Sequence, residues 1–367
     1  MKKLMIIAGG TGGHIFPALT VADHCYAQGV SIYWLGSTGG MEEKLVSPQY
    51  HLQTIEIAGL RGKRKLDLLL APWKITRAIY QAIRVLRRVK PDVVLGMGGF
   101  VSGPGGVAAW LLRIPLVVHE QNSVVGLTNR WLAYFSQVTL QAFPDVFPAS
   151  VQAKTVGNPV RQDIASAAGP LERFKYPRGP FRILVLGGSR GASAVNSLVC
   201  EVFRSWGSDE KPLIWHQTGE SEFDHVVETY QQHAPLAVVE SFIDDMASAY
   251  AWADVVIARS GALTIAELAA LGVASILIPF PHAVDDHQFK NAQWLVQQGA
   301  AKVFRQETLT ACQLRSVLLE LESQPEKRLE MAETAYRMGV AASGAKIIAE
   351  CEAIVRKRQG VSYVSAD

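Results

Sequence analysis

Two short apolar runs each break into a glycine cluster and then into a helical stretch, about half the chain apart. Residues 4–8 meet Gly9-Gly10-Thr11-Gly12-Gly13, and residues 182–186 meet Gly187-Gly188-Ser189-Arg190-Gly191. A strand that ends in glycines before a helix is the unit of a parallel α/β sheet, and its repetition implies two similar domains. Apolar, β-branched runs at 31–35, 93–96, 116–119 and 138–140 follow the first copy, and runs at 213–217, 237–240, 255–258 and 274–278 follow the second. The expected fold class is α/β, with two Rossmann-like doubly wound domains facing across a cleft.

A chain of 367 residues fits two domains. Gly157-Asn158-Pro159-Val160-Arg161 and the Pro/Gly-rich stretch 169–180 carry the turn residues of a linker. The boundary is therefore placed near Pro159, giving an N-terminal domain at 1–159 and a C-terminal domain at 160–344. A last helix at about 345–360 has no strand after it and is expected to pack back onto the first domain.

Hydrophobic residues make up 49% of the chain and charged ones 19%, a globular composition and not a disordered one. The apolar stretch 1–8 is too short for a signal peptide, and no window reaches the roughly 18–20 apolar residues of a membrane span. Cys25, Cys200, Cys312 and Cys351 show no CxxC spacing and are read as buried free thiols of a reducing compartment. Net charge is only +3, yet residues 61–90 hold ten Lys or Arg against Asp67, a local +9 that leaves the remainder at −6. That asymmetry calls for an anionic surface as partner.

Glycines at a strand-to-helix turn let backbone N–H groups approach an anion, so both turns are candidate diphosphate sites; tight turning alone is the other reading. A nicotinamide dinucleotide is disfavoured. Gly10-Thr11-Gly12-Gly13-His14 lacks the third glycine of that fingerprint, and the run 31–35 ends in Gly36-Ser37 where an acid would hold the ribose. His14, just after the first turn, is suited by residue type to be a general base, or else bonds the backbone. Residues 255–267 read as strand, turn and helix, with Ser260 as helix cap and Glu267 placed either to accept two ribose hydroxyls or as a surface acid. Gln288 and Asn291 are candidates for sugar hydroxyls. His282, Asp285, Asp286 and His287 lack a tight ligand pair, so no metal is expected.

Together GGTGGHIFP at 9–17, GGFVSGPGG at 98–106, HEQN at 119–122, GNPVR at 157–161, GGSRGA at 187–192, SFIDDM at 241–246 and the segments 259–267 and 286–292 span nearly the whole chain in order. On these motifs the chain resembles the MurG-type transferases of bacterial cell-wall synthesis, which add N-acetylglucosamine to a lipid-linked muramoyl-pentapeptide. The resemblance implies the two-domain GT-B architecture, UDP-N-acetylglucosamine as donor, no cofactor and no nucleic acid. Ser189 and the Ala262 and Leu263 amides would contact the diphosphate, Glu267 the ribose and the Ile243 backbone the uracil. Asn122, Arg161 and Gln288 would complete the donor site, together with Thr11, Gly12 and Gly13 and with Thr264, Ile265 and Ala266. His14 and Glu120 match positions proposed for catalysis, while Gly12, Gly13, Gly103 and Gly105 would face the acceptor's diphosphate. Phe100 stands where some relatives carry Tyr, so no ring hydroxyl is available there.

The implied chemistry is a single inverting displacement with His14 taking the proton of the acceptor's 4-hydroxyl. A UDP-N-acetylglucosamine epimerase or hydrolase on the same fold is the rival enzyme, and an idle sugar-nucleotide-binding module the non-enzyme alternative. Leu66, Leu68, Leu69, Leu70 and Trp73 form an apolar knot beside Arg61, Lys63, Arg64 and Lys65, with a companion at Trp110–Arg113. Apolar groups flanked by cations suit the interface of an anionic bilayer, expected here as peripheral binding on the cytoplasmic face of the inner membrane. Pro72 is expected to open a helix to about Val89, with Ile75, Ile79, Ile83 and Leu86 facing the core.

Overall fold

The computed structural model describes residues 1–57, 70–175, 179–187, 192–207 and 211–360. The chain forms two compact units, one from Met1 to Val160 joined by the C-terminal segment from Ala342, the other Arg161–Ala341. In the first, β1 (Lys3–Ile7), β2 (Ser31–Ser37), β3 (His51–Ile55), β4 (Val93–Gly96), β5 (Leu116–Glu120), β6 (Val138–Gln141) and β7 (Lys154–Thr155) lie in the order β3-β2-β1-β4-β5-β6-β7. In the second, β8 (Arg182–Leu186), β9 (Leu213–Gln217), β10 (Val238–Glu240), β11 (Val255–Ala258), β12 (Ser275–Leu277) and β13 (Ala301–Val303) lie in the order β10-β9-β8-β11-β12-β13. Every pairing is parallel, so both units are Rossmann-like.

Each sheet reverses its direction of growth once, between β1 and β4 and between β8 and β11. Loops leaving the carboxyl ends of two such strands diverge, and the crevice they leave is where open α/β sheets bind ligands. Pairing of Ile7 with Gly96 and of Leu186 with Ala258 brings each pair of strand ends level. The glycine loop 9–13 therefore begins at one switch point, and Gly187 leaves β8 at the other.

Alternation along β1 shows why these runs are apolar at every position. Leu4 and Ile6 turn toward the helix Gly12–Ala27 and toward Ile347, Ile348, Cys351 and Val355 of the last helix, Ser343–Arg358. Met5 and Ile7 turn the other way, onto Ala78, Ala82 and Leu86 of the helix Ala71–Val89 and Ala108 of the helix Ser102–Leu111. A strand covered on both faces has no polar side to display.

Some expectations change. Strands β3, β7 and β13 were not read from sequence: β3 and β7 edge one sheet and β13 the other, where a solvated side admits His51, Gln53, Lys154 and Lys302. The helix Ala71–Val89 has Pro72 in its first turn, but its buried face is Ala71, Ala78, Ala82, Leu86 and Val89, with Ile75, Ile79 and Ile83 only partly covered. Small alanines occupy the line of close approach, and the isoleucines flank it. Cys312 is exposed, unlike Cys25, Cys200 and Cys351, because it lies on the solvent side of the helix Ala311–Ser323. No helix among the described residues is long and apolar enough to cross a membrane.

Candidate active site

In the first unit the loops after β1 and β4 lock together. Met97 donates its N–H to Ile7 O at 2.8 Å, and a Cβ on Gly99 would stand 2.2 Å from Gly9 O, so glycine alone permits this approach. Thr11 is the N-cap of the helix Gly12–Ala27 and uses no side-chain bond for it; its carbonyl accepts from His14 N and Ile15 N. Thr11 and Gly13 are exposed and Gly12 and His14 half-buried, so this helix start is accessible in its unit. The His14 ring lies against Gly98, where a Cβ would come 2.6 Å from Nδ1.

Behind His14 stands the HEQN segment at the end of β5. Gln121 Oε1 is 2.9 Å from His14 Nδ1, and Gln121 Nε2 is 3.1 Å from His119 Nδ1 and 3.2 Å from His119 O. His119 Nε2 is 2.9 Å from Gly157 O, and burial pushes this imidazole down to about 4. Motif reading gave Gln121 no role of its own, though it lies inside HEQN; only its distance to His14 distinguishes it.

Glu120 does not stand as a base. It is buried, its Oε1 accepts from Asn122 N at 3.0 Å and Asn122 Nδ2 at 3.3 Å, and its Oε2 accepts from Gly126 N at 3.0 Å and Asn129 Nδ2 at 2.9 Å. Four donors on one carboxylate fold the loop 121–126 back on the strand end, a positioning task. The side chain of Asn122 is thereby tied to Glu120.

The two helical glycines assigned to the acceptor separate. Gly103 lies half-buried in the first turn of the helix Ser102–Leu111, with Thr128 beside it. Gly105 is buried, its N–H already donates to Val101 O at 3.1 Å, and it faces the sheet, so it is no anion ligand. A Cβ there would stand 2.5 Å from Ile7 Cδ1 and 3.0 Å from Leu35 Cδ2. Gly105→Ala is therefore expected to lower unfolding free energy by about 1–3 kcal/mol through overpacking. Chemical denaturation measures this, and the acceptor KM of the folded variant is expected to stay unchanged.

In the second unit the helix Ala262–Leu271 follows β11 and points its positive end at the switch point. Its N-cap is Gly261, not Ser260. Ser260 is fully buried, its Oγ has no partner among the described residues, and its carbonyl accepts from Asn291 Nδ2 at 3.2 Å, so the strand exit holds it away from capping geometry. Along this helix start, Ala262 and Ile265 are buried while Leu263, Thr264 and Ala266 are half-buried. Arg259 ties the neighbouring strand end, donating to Ile278 O at 3.0 Å, Pro279 O at 3.1 Å and Gln306 Oε1 at 2.6 Å.

Glu267 is no surface acid. It is 8% exposed and accepts from the Tyr250 hydroxyl at 2.9 Å. Burial pushes its carboxyl up to about 7, against the Tyr250 hydrogen bond and the Arg161 charge, which pull it down. Arg161 also lies 3.4 Å from Asp244 O, next to the buried Ile243, so Arg161, Ile243 and Glu267 gather at one place in this unit. Tyr250 sits mid-helix, and no sequence pattern announces it. Gln288 Oε1 accepts from Phe280 N at 2.9 Å. Asp286 pairs with Arg305 at 2.6 Å and His287 Nδ1 bonds Val284 O at 2.7 Å. Ser189 lies outside the described residues, as do Lys65 and Leu69.

Two parallel Rossmann-like units, with helix starts at the switch points, define a two-domain α/β class of protein built to hold anionic ligands at its strand ends. The model of the glycosyltransferase family 28 N-terminal domain matches residues 4–140, and that of the family 28 C-terminal domain matches residues 182–350. The chain belongs to glycosyltransferase family 28. It is 48% identical over 352 residues, 96% of this chain and 98% of the relative, to the UDP-N-acetylglucosamine--N-acetylmuramyl-(pentapeptide) pyrophosphoryl-undecaprenol N-acetylglucosamine transferase of Coxiella burnetii. To the enzyme of the same name from Acidithiobacillus ferrooxidans it is 49% identical over 350 residues, 95% of this chain and 97% of that one. Among solved structures it is similar to MurG of Acinetobacter baumannii, with 37% identity, a TM-score of 0.84, and coverage of 96% of this chain and 100% of that chain. A UDP-N-acetylglucosamine 2-epimerase, 13% identical with a TM-score of 0.65 and covering 100% of this chain and 98% of that one, shares the fold alone.

Proposed function

We propose that the protein transfers N-acetylglucosamine from UDP-N-acetylglucosamine to the 4-hydroxyl of the muramoyl sugar in undecaprenyl-diphospho-muramoyl-pentapeptide, with inversion at the anomeric carbon. The acceptor oxygen forms the new bond to the anomeric carbon, the bond from that carbon to the diphosphate oxygen breaks, the hydroxyl proton goes to His14 and UDP leaves. The observation that carries the donor half is Glu267, buried beside Tyr250 and Arg161 on the helix that begins at the switch point. Arg161 and the helix start stabilise charge growing on the leaving diphosphate, a preorganised role. Thr11, Gly12, Gly13 and Gly103 in the first unit are assigned to diphosphate contacts. Incubation with UDP-N-acetylglucosamine, with and without a lipid-linked acceptor analogue, tests this by mass spectrometry. Acceptor-dependent release of UDP with disaccharide formation is expected; acceptor-independent turnover to an epimerised or free sugar would replace the transferase by an epimerase or hydrolase.

The acceptor's lipid gives the first unit a second task, docking on an anionic bilayer at the cytoplasmic face. The helices Ala71–Val89, Ser102–Leu111 and Leu127–Leu132 pack side by side and leave Leu70, Trp73, Tyr80, Trp110, Trp131 and Tyr134 exposed. Lys74, Arg77, Arg84, Arg87 and Arg88 lie on the first of these helices, and the Arg77 guanidinium stands over the Trp73 ring at 5.8 Å. Each basic residue near an anionic surface contributes about 1 kcal/mol. Sedimentation with vesicles is expected to require anionic lipid, to weaken in high salt and to drop when Trp73 and Trp131 both become Ser. Equal binding to neutral vesicles would reject this face.

A further inference from the structure

The hydrogen bonds behind His14 can run in one direction only. His119 is wholly buried and its Nε2 lies 2.9 Å from Gly157 O. A carbonyl oxygen accepts and never donates, so Nε2 carries the proton. Burial keeps this ring neutral, so Nδ1 is a bare acceptor. Gln121 Nε2 faces that Nδ1 at 3.1 Å and His119 O at 3.2 Å. Both are acceptors, which settles the end of the amide that is the NH2 group. Gln121 Oε1 therefore turns to His14 Nδ1 at 2.9 Å, and since an amide oxygen cannot donate, His14 Nδ1 must.

We propose that Gln121 and His119 are positioning residues that hold neutral His14 in its Nδ1–H tautomer, leaving the Nε2 lone pair as the ring's basic site. This rests on the reading of His14 as the general base. A neutral imidazole has one protonated and one bare nitrogen, and the partner of one decides the other. The relay is anchored at its far side: Gln121 O accepts from Asn158 Nδ2 at 3.0 Å, and His119 O accepts from Asn129 Nδ2 at 3.2 Å. Gly98 leaves the room for the His14 ring to reach the amide. A ring in the other tautomer would present an N–H where a base is needed, a mismatch that elsewhere lowers turnover severely.

The test is the ring-nitrogen NMR spectrum of the full-length protein labelled with 15N-histidine, His14 being assigned by difference from His14→Gln. At a pH where the ring is neutral, the wild type is expected to show a protonated Nδ1 and a bare Nε2. Gln121→Leu is expected to give a tautomer mixture and a kcat lowered by at least about tenfold with the KM for UDP-N-acetylglucosamine unchanged. A wild-type His14 protonated at Nε2, or a Gln121→Leu protein still wholly Nδ1–H, overturns the proposal at any level of activity. If the tautomers behave as stated while His14→Ala retains turnover, the relay is upheld and the assignment of His14 as base is what fails.

Discussion

Replacing His14 with alanine is expected to lower turnover by roughly a hundredfold to ten-thousandfold, the range for loss of a general base, with donor affinity changed by no more than about twofold. The split follows from where the groups lie. His14 is in the first unit, on the helix start after β1, whereas Arg161, Ile243 and Glu267 belong to the second. No other proton acceptor stands ready in the HEQN segment: Glu120 holds four donors, and buried His119 presents its N–H to Gly157. Steady-state turnover with a lipid-linked acceptor analogue, beside calorimetric titration with the UDP-sugar, measures both quantities. Turnover within tenfold of the wild type would move the proton to a different group, and a parallel collapse of donor affinity would make His14 a donor ligand.

Glu267→Gln is expected to weaken donor binding by roughly tenfold to over a hundredfold, since a hydrogen bond to a charged group is worth about 1.5–3 kcal/mol. The carboxyl titrates at about 7, so wild-type affinity is expected to rise with pH through that value as the carboxylate forms, and the variant to lack the rise. Stability moves in the opposite sense. An unfolded carboxyl ionises near 4.5 and the folded one near 7, so between these values the folded protein keeps a proton that the unfolded chain has lost. Wild-type stability therefore falls as pH rises through that window, by up to about 3 kcal/mol, and Glu267→Gln is expected to be more stable than the wild type at pH 8 but not at pH 4. Denaturation at the two pH values decides it. An acidic residue that weakens the apo fold and strengthens ligand binding is the mark of a site residue. Equal donor affinity in wild type and variant would remove Glu267 from the site.

Much of the fold is legible without coordinates because its signals are local. The apolar runs of β1, β4, β5, β8 and β11, the glycine turn after β1, and the helix after β11 all follow from consecutive residues. Strands β3, β7 and β13 carry no such signal because a sheet edge lets water satisfy one side, and His51, Gln53, Lys154 and Lys302 blur the pattern. Within GGFVSGPGG, Gly103 and Gly105 look alike as letters. Two residues along a helix turn one toward Thr128 and the other into Ile7 and Leu35.

The sequence by itself determined two doubly wound units, their glycine loops and a list of polar residues at strand ends, because strand periodicity and turn chemistry are short-range properties of the chain. Only the tertiary structure decided what those polar residues do. Gln121 meets His14 across 107 positions, and Tyr250 meets Glu267 across 17. Glu120 and Gln121 are adjacent letters, yet one folds a loop and the other meets the His14 ring. Burial and hydrogen-bond direction depend on which distant segments converge, and they set whether an acid ionises and which ring nitrogen is protonated.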